Sequence, residues 1–412
     1  MLLLITFGVF GTAIQKLLGI PYAGLVDDAT MIFVVFTVVA LLCSGQVQKT
    51  NTNIFFFVIF VISSVVSATV NNVPIAVYLV QMRSYVFPLF IVFIFSKLAI
   101  DKLTIKFFIN IIALVTIILF LSALIELAIG RPILYAENRF GEQIDFDNGV
   151  RVFSLIGNPI DFSNFIMLSL CIFFASMSSG LISANKGKLL IVICILCLLL
   201  SASRGPIIAA LFTFFLYYMH KGLSLVKIVK WSLLSLPFLF LLGNKLLTRF
   251  SDISVNYFAE DQYRALYLVK SLEILRDHLA FGVGPGMFGG WVSINFHESE
   301  IYTLYNIDTK GISSIDMFWP HFVPEVGLIG CAIFLYPFIK LFKASKQLSS
   351  STNNTMLFIS TNVQLLFPAA FLVGLFSISF ETQLFSSVLS ILCGLFIKVL
   401  YDKSSIHSIS KR

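Results

Sequence analysis

Long apolar runs separated by short polar breaks dominate the chain. Runs near 20 residues recur, and each is about 30 Å long as a helix, the thickness of a bilayer's hydrocarbon core. They fall at 1–20, 30–44, 54–70, 84–100, 107–129, 160–178, 189–203, 206–219, 225–243, 322–342, 356–379 and 384–400. The pattern predicts an all-α polytopic membrane protein with about twelve transmembrane helices. Met1 opens an apolar stretch with no basic n-region and no clear small-residue cleavage site, which reads as an uncleaved first span. Two polar interruptions are larger, 130–159 and 244–321. Within the second, Leu266, Val269, Leu272, Leu275 and Leu279 recur at three- and four-residue spacing, and Glu260 and Asp261 suit the positive end of a helix dipole. An amphipathic helix over 261–279, lying along the membrane surface, is the expectation. With no soluble domain, low-complexity linker or clear repeat, 1–412 reads as one integral membrane domain, with 244–321 as a large outer loop.

Composition sharpens this picture. Apolar residues make up 58% of the 412 and charged residues 12%, with 44 Phe and a mean hydropathy of +0.95; this excludes a cytosolic globular enzyme. In a soluble domain a net charge of +7 would raise nucleic acid as a partner. Here the positive-inside bias accounts for it, and no nucleic acid is expected. A cytoplasmic N-terminus puts Lys49, Lys97, Lys102, Lys106, Lys186, Lys188, Lys221, Lys227, Lys230, Lys340, Lys343, Lys346 and Lys398 inside, with the C-terminus. Fifteen of nineteen Lys fall on that side, whereas eight of nine Arg fall on the outer side or at outer span ends. Guanidinium forks bind phosphate bidentately and stay charged when desolvated, so the Arg set points to an anionic ligand held near the membrane. For any single Arg, pairing with an outer-loop carboxylate is the better explanation, but it does not account for the set. The six Cys all lie within spans; Cys194-x-x-Cys197 sits in an Ile/Leu run without His or carboxylate and reads as buried packing.

Three outer constellations carry candidate chemistry. Ser201-Ala202-Ser203-Arg204-Gly205-Pro206 is a tight turn between two spans, in which Arg204 is the part that turn chemistry does not need. It either snorkels to the interface or lines a polar cavity. Arg264 stands in the first turn of the loop helix, and Phe281-Gly282-Val283-Gly284-Pro285-Gly286-Met287-Phe288-Gly289-Gly290 follows it. This stretch lacks the preceding strand of a dinucleotide motif. It is a flexible turn, a backbone-amide nest for an anion, or a place where a glycan passes close to the chain, with Gly284 and Gly286 as the close-approach positions. Last, His321 stands where the loop re-enters the membrane, between Asp316 and Glu325. His is the one side chain that exchanges protons at neutral pH without perturbation. A His at a span end also serves simply as an interfacial polar group. Glu126, Asp161, His278 and His297 are weaker candidates.

The order of these motifs resembles the O-antigen ligase and O-antigen polymerase superfamily. The resemblance rests on Ser201 to Gly205, Arg264, Gly282 to Phe288, and His321 with Glu325 to Gly330. Arg151 with Gly157-Asn158-Pro159 is similar to the family's earlier outer segment. It is most specific over roughly 150–330. It implies a glycosyltransferase of the bacterial inner (cytoplasmic) membrane with its site on the periplasmic face, using no metal and no nucleotide or other cofactor. The implied donor is a glycan on undecaprenyl pyrophosphate, and a chain-length regulator protein is an implied partner. By that analogy Arg204 and Arg264 hold the pyrophosphate, Arg151, Gly284, Gly286 and Glu325 belong to the substrate site, and His321 assists the attacking hydroxyl. Family members often have Asn after the His; Phe322 stands there, so a helper amide is missing or comes from elsewhere. Among family activities the polymerase, which extends a lipid-linked repeat, is favoured over the ligase, which transfers glycan to lipid A-core, because no motif points to a lipid A-core acceptor. A transporter or flippase of lipid-linked glycan is the rival of another class, although polar residues concentrated in one outer loop fit catalysis better than two related halves with broken helices.

Overall fold

A computed structural model describes residues 2–17, 25–43, 52–97, 101–134, 151–222, 264–296, 299–307, 317–349, 351 and 353–409. Their helices are α1 (Leu2–Leu17), α2 (Leu25–Cys43), α3 (Thr52–Val70), α4 (Ile75–Lys97), α5 (Lys102–Ile129), α6 (Pro159–Ser178), α7 (Ala184–Ser201) and α8 (Arg204–His220). After them come α9 (264–277), α10 (Glu300–Leu304), α11 (Phe318–Leu348), α12 (Asn354–Gly374) and α13 (Gln383–Ile409). Among the described residues there is no strand, as expected where lipid offers backbone groups no partner and a helix satisfies its own.

Among the described residues seven helices are long and apolar enough to cross a bilayer: α4, α5, α6, α7, α11, α12 and the part of α13 up to Leu400. The chain is a helical membrane protein. The expected spans at 1–20, 30–44, 54–70 and 206–219 also fall on helices, α1, α2, α3 and α8. The expected span at 225–243 lies outside the described residues, as do Asp316 and His297.

Helix ends are set by local chemistry. The Asp101 carboxylate caps α5 by accepting from the Thr104 N–H at 2.7 Å, and Gly130 closes it in the left-handed region. Asn158 caps α6, with Pro159 at its first position. α6 is deeply enclosed, surrounded by α5, α7, α8, α12 and α13, with Phe162, Phe165 and Phe173 fully buried. Ile32, Phe36, Leu121 and Leu211 face outward, as lipid-facing positions must.

The two ends of the bundle differ. Lys97 ends α4 beside Lys398 of α13, and Lys186 at the start of α7 donates to Asn110 Oδ1 at 3.2 Å. At the opposite end α8 begins and α11 begins, and the turn from α12 to α13 lies between them. Phe318 N–H donates to Ser377 O at 3.2 Å, and a Cβ on Gly205 would lie 2.6 Å from Phe376 Cβ.

Candidate functional site

The loop after α9 is neither a flexible turn nor an open nest. Val283 and Gly284 N–H groups donate to the Pro324 and Glu325 carbonyls, each at 2.9 Å, and Leu328 and Ile329 N–H groups donate back to Leu279 and Ala280 at 2.9 and 3.2 Å. These bonds bind the loop to a break in α11 at Gly327, whose φ of 68° and ψ of −179° lie outside the helical region. Glycine is required on both sides. A Cβ on Gly282 would sit 2.3 Å from the Pro324 carbonyl oxygen, and one on Gly327 2.4 Å from that of Ala280. Gly284 and Gly286 approach the protein itself: a Cβ there would lie 2.3 Å from Val73 and 2.8 Å from Val77. Asn71 Nδ2 donates to Gly282 O at 2.9 Å and fastens the loop to the α3–α4 turn.

An amide nest does form, and it holds the Glu325 carboxyl. Phe288 N–H donates to Glu325 Oε1 at 3.2 Å, the Gly286 amide is directed at the same carboxyl, and the Tyr85 hydroxyl donates to Oε2 at 2.8 Å. Glu325 is fully buried. The Gly motif therefore seats a side chain of α11, where the sequence pointed to a bound glycan or pyrophosphate.

His321 lies one turn earlier on α11 and is also fully buried, not at the water interface expected for it. Nδ1 is 2.9 Å from the Met317 carbonyl. A carbonyl only accepts, so Nδ1 carries a hydrogen. Nε2 is 2.9 Å from Glu381 Oε1, and a proton must lie between them for that contact to be favourable. The pair is an imidazolium with a carboxylate, or an imidazole with a carboxylic acid. Gln81 Nε2 of α4 donates to the same Oε1 at 2.7 Å, so an amide does reach this centre, from a different helix than the position after the His. Phe322 instead stacks among aromatic rings, with centroids 4.9 Å from Phe318, 5.2 Å from Tyr85 and 4.8 Å from Phe334. These rings and Phe60 wall the polar centre off from the bilayer interior.

The arginines occupy the same end of the molecule. Arg204 is exposed at the first residue of α8. Arg151 is half-buried; its neighbour Val152 donates to Leu200 O at 3.2 Å, next to the Arg204 turn. That segment is held by Glu126, whose carboxylate accepts from Phe153 N–H at 2.8 Å and Ser154 N–H at 2.9 Å. The buried acid within a span is thus a backbone clamp. Arg264 is half-buried at the start of α9. α9 runs parallel to the start of α11, with Ser271 Oγ bonded to Pro320 O and Leu279 and Ala280 in the same 49-residue register with Leu328 and Ile329. Its buried face is Tyr267, Ser271 and Ile274, while Leu266, Val269 and Leu272 are exposed.

The residue of this buried centre that the sequence reading missed is Glu381, with Gln81 and Tyr85 beside it. A signal existed: Glu381 is the one charged residue between Lys346 and Lys398, in a short break between two apolar runs. All six cysteines are free thiols. No protein-family model matches the sequence, and no curated protein matches it.

Proposed function

We propose that the protein is a surface-polysaccharide polymerase, transferring a growing glycan from undecaprenyl pyrophosphate to the acceptor hydroxyl of a lipid-linked repeat unit. The observation that carries this reading is the buried His321–Glu381 pair at 2.9 Å, on the turn that packs against the start of α8 where Arg204 stands. A proton-exchanging pair and an arginine at one end of a membrane bundle are what transfer from a lipid pyrophosphate needs. The acceptor must lose a proton, and the leaving pyrophosphate must have its developing charge stabilised. Charge-assisted bonds from Arg204 and Arg264 would each contribute about 1.5–3 kcal/mol. The bilayer delivers both lipid-linked substrates to the same depth, and a chain-length regulator would act on the growing product as a membrane partner.

Deleting the gene and separating the surface polysaccharide on a gel tests this. The expected result is loss of long chains with core plus one repeat retained. Long chains accumulating on undecaprenyl pyrophosphate, with none on lipid A, would assign the ligase reaction instead.

A second reading has a specific observation behind it. The helical break at Gly327 and the buried cluster of His321, Glu325 and Glu381 are also features of proton-coupled carriers. A flippase would leave lipid-linked single repeats on the cytoplasmic face when deleted, an outcome the same strain reports.

A further inference from the structure

We infer that Glu381, and not His321, receives the proton of the acceptor hydroxyl, an inference that rests on the glycosyl-transfer reading above. The His321 side chain has no exposed surface, whereas that of Glu381 is 11% exposed. Both ring nitrogens of His321 are engaged within the protein, by Met317 O and Glu381 Oε1. Glu381 receives His321 and Gln81 on the same oxygen, Oε1, and the Tyr85 hydroxyl also reaches its carboxyl; Oε2 is the oxygen that takes neither His321 nor Gln81.

The surroundings of Glu381 fit a sugar. Ser379 Oγ, Gln383 Oε1 and Asn164 Oδ1 are buried with no hydrogen-bond partner among the described residues, and Asn164 Nδ2 reaches Ser377 Oγ at 3.3 Å. Buried polar atoms left unmatched are costly, and hydroxyl groups, which both donate and accept, match all three. They flank Glu381 on the turn between α12 and α13 or face that turn from α6.

In the transfer step the acceptor O–H bond breaks and its proton passes to Glu381 Oε2. The acceptor oxygen bonds to the anomeric carbon. The bond from that carbon to the pyrophosphate oxygen breaks, its electron pair leaving on the pyrophosphate, and Glu381 later returns the proton to water. His321 is then a positioning residue. The groups facing Glu381 are His321 and Glu325 from α11 and Gln81 and Tyr85 from α4. Burial pushes the Glu381 carboxyl up, but the His321 charge and the His321 and Gln81 hydrogen bonds outweigh it and hold the carboxyl below its ordinary value. Removing the His321 charge must therefore raise it, and the acid limb of the rate profile should move to higher pH.

The test uses the full chain in proteoliposomes with the host's own undecaprenyl-pyrophosphate-linked repeat units, reading chain lengthening against pH. Glu381→Gln should lose transfer by about 10²–10⁴-fold at normal protein level, and Glu381→Asp should recover part of it. His321→Gln should stay active at high pH with its acid limb shifted up. Near-wild-type transfer by Glu381→Gln, or a His321→Gln protein inactive at every pH, would overturn the inference. If Glu381→Gln does not accumulate, the His321→Gln profile decides alone, an unmoved acid limb being the contrary result. Arg204→Ala and Arg264→Ala run alongside: both active sinks the transfer reading itself, whereas both inactive with Glu381→Gln active sinks this inference only.

Discussion

Glu325 is a carboxyl group that the protein supplies to its own glycine nest. Its oxygens are bonded to the Tyr85 hydroxyl and the Phe288 amide, so the loop, α4 and α11 meet on one carboxyl group. Tyr85→Phe removes one of these bonds inside an aromatic wall and should cost about 1–3 kcal/mol, read as a lowered unfolding temperature in detergent; an unchanged temperature would mean the bond adds nothing. Gly327→Ala is a harsher change, since φ is +68° and the new Cβ would sit 2.4 Å from a carbonyl oxygen. It should cost at least about 1–3 kcal/mol and detach the loop, seen as early proteolysis after α9. At this scale Arg204, Arg264, His321 and Glu325 were readable because each stands in a patterned stretch. Glu381 was marked only as a lone charge between two apolar runs; its partners were not legible, because it meets His321 across 60 residues and Gln81 across 300.

Elements were legible wherever hydropathy alone decides them, because in lipid an apolar run of sufficient length has no other stable form. The start of α4 was missed by nine residues, 84 expected against Ile75 observed, because Gln81 and Arg83 lower the local hydropathy. Both are used: Gln81 binds Glu381, and Arg83 pairs with Asp28 of α2. For α9 the periodicity was legible. Beside a bilayer an apolar stripe is content outside, and Leu266, Val269 and Leu272 are exposed, while the small polar Ser271 turns inward to the Pro320 carbonyl. A cysteine at Leu272 should therefore react with bilayer-soluble maleimide and resist impermeant reagent. Labelling by the impermeant reagent would place α9 in water.

At the scale of the whole molecule, the account separates a lysine end from a working end that carries Arg204, Glu381 and the start of α11. A cysteine at Glu300, exposed on α10, should be labelled by impermeant reagents from outside intact spheroplasts, and protection there would invert the orientation. A helical membrane protein followed from the apolar runs, and seven helices among the described residues are long and apolar enough to span. The joining of α8, α11 and the α12–α13 turn did not follow, since packing at Gly205 and Phe376 is a property of the folded bundle. The most direct measurement is a turnover assay with purified protein in liposomes supplied with undecaprenyl-pyrophosphate-linked repeat units. The account predicts a ladder of lengthened glycans and released undecaprenyl pyrophosphate, both abolished by Arg204→Ala and by Arg264→Ala. Repeat units that cross the bilayer unlengthened, with no pyrophosphate carrier released, would contradict it.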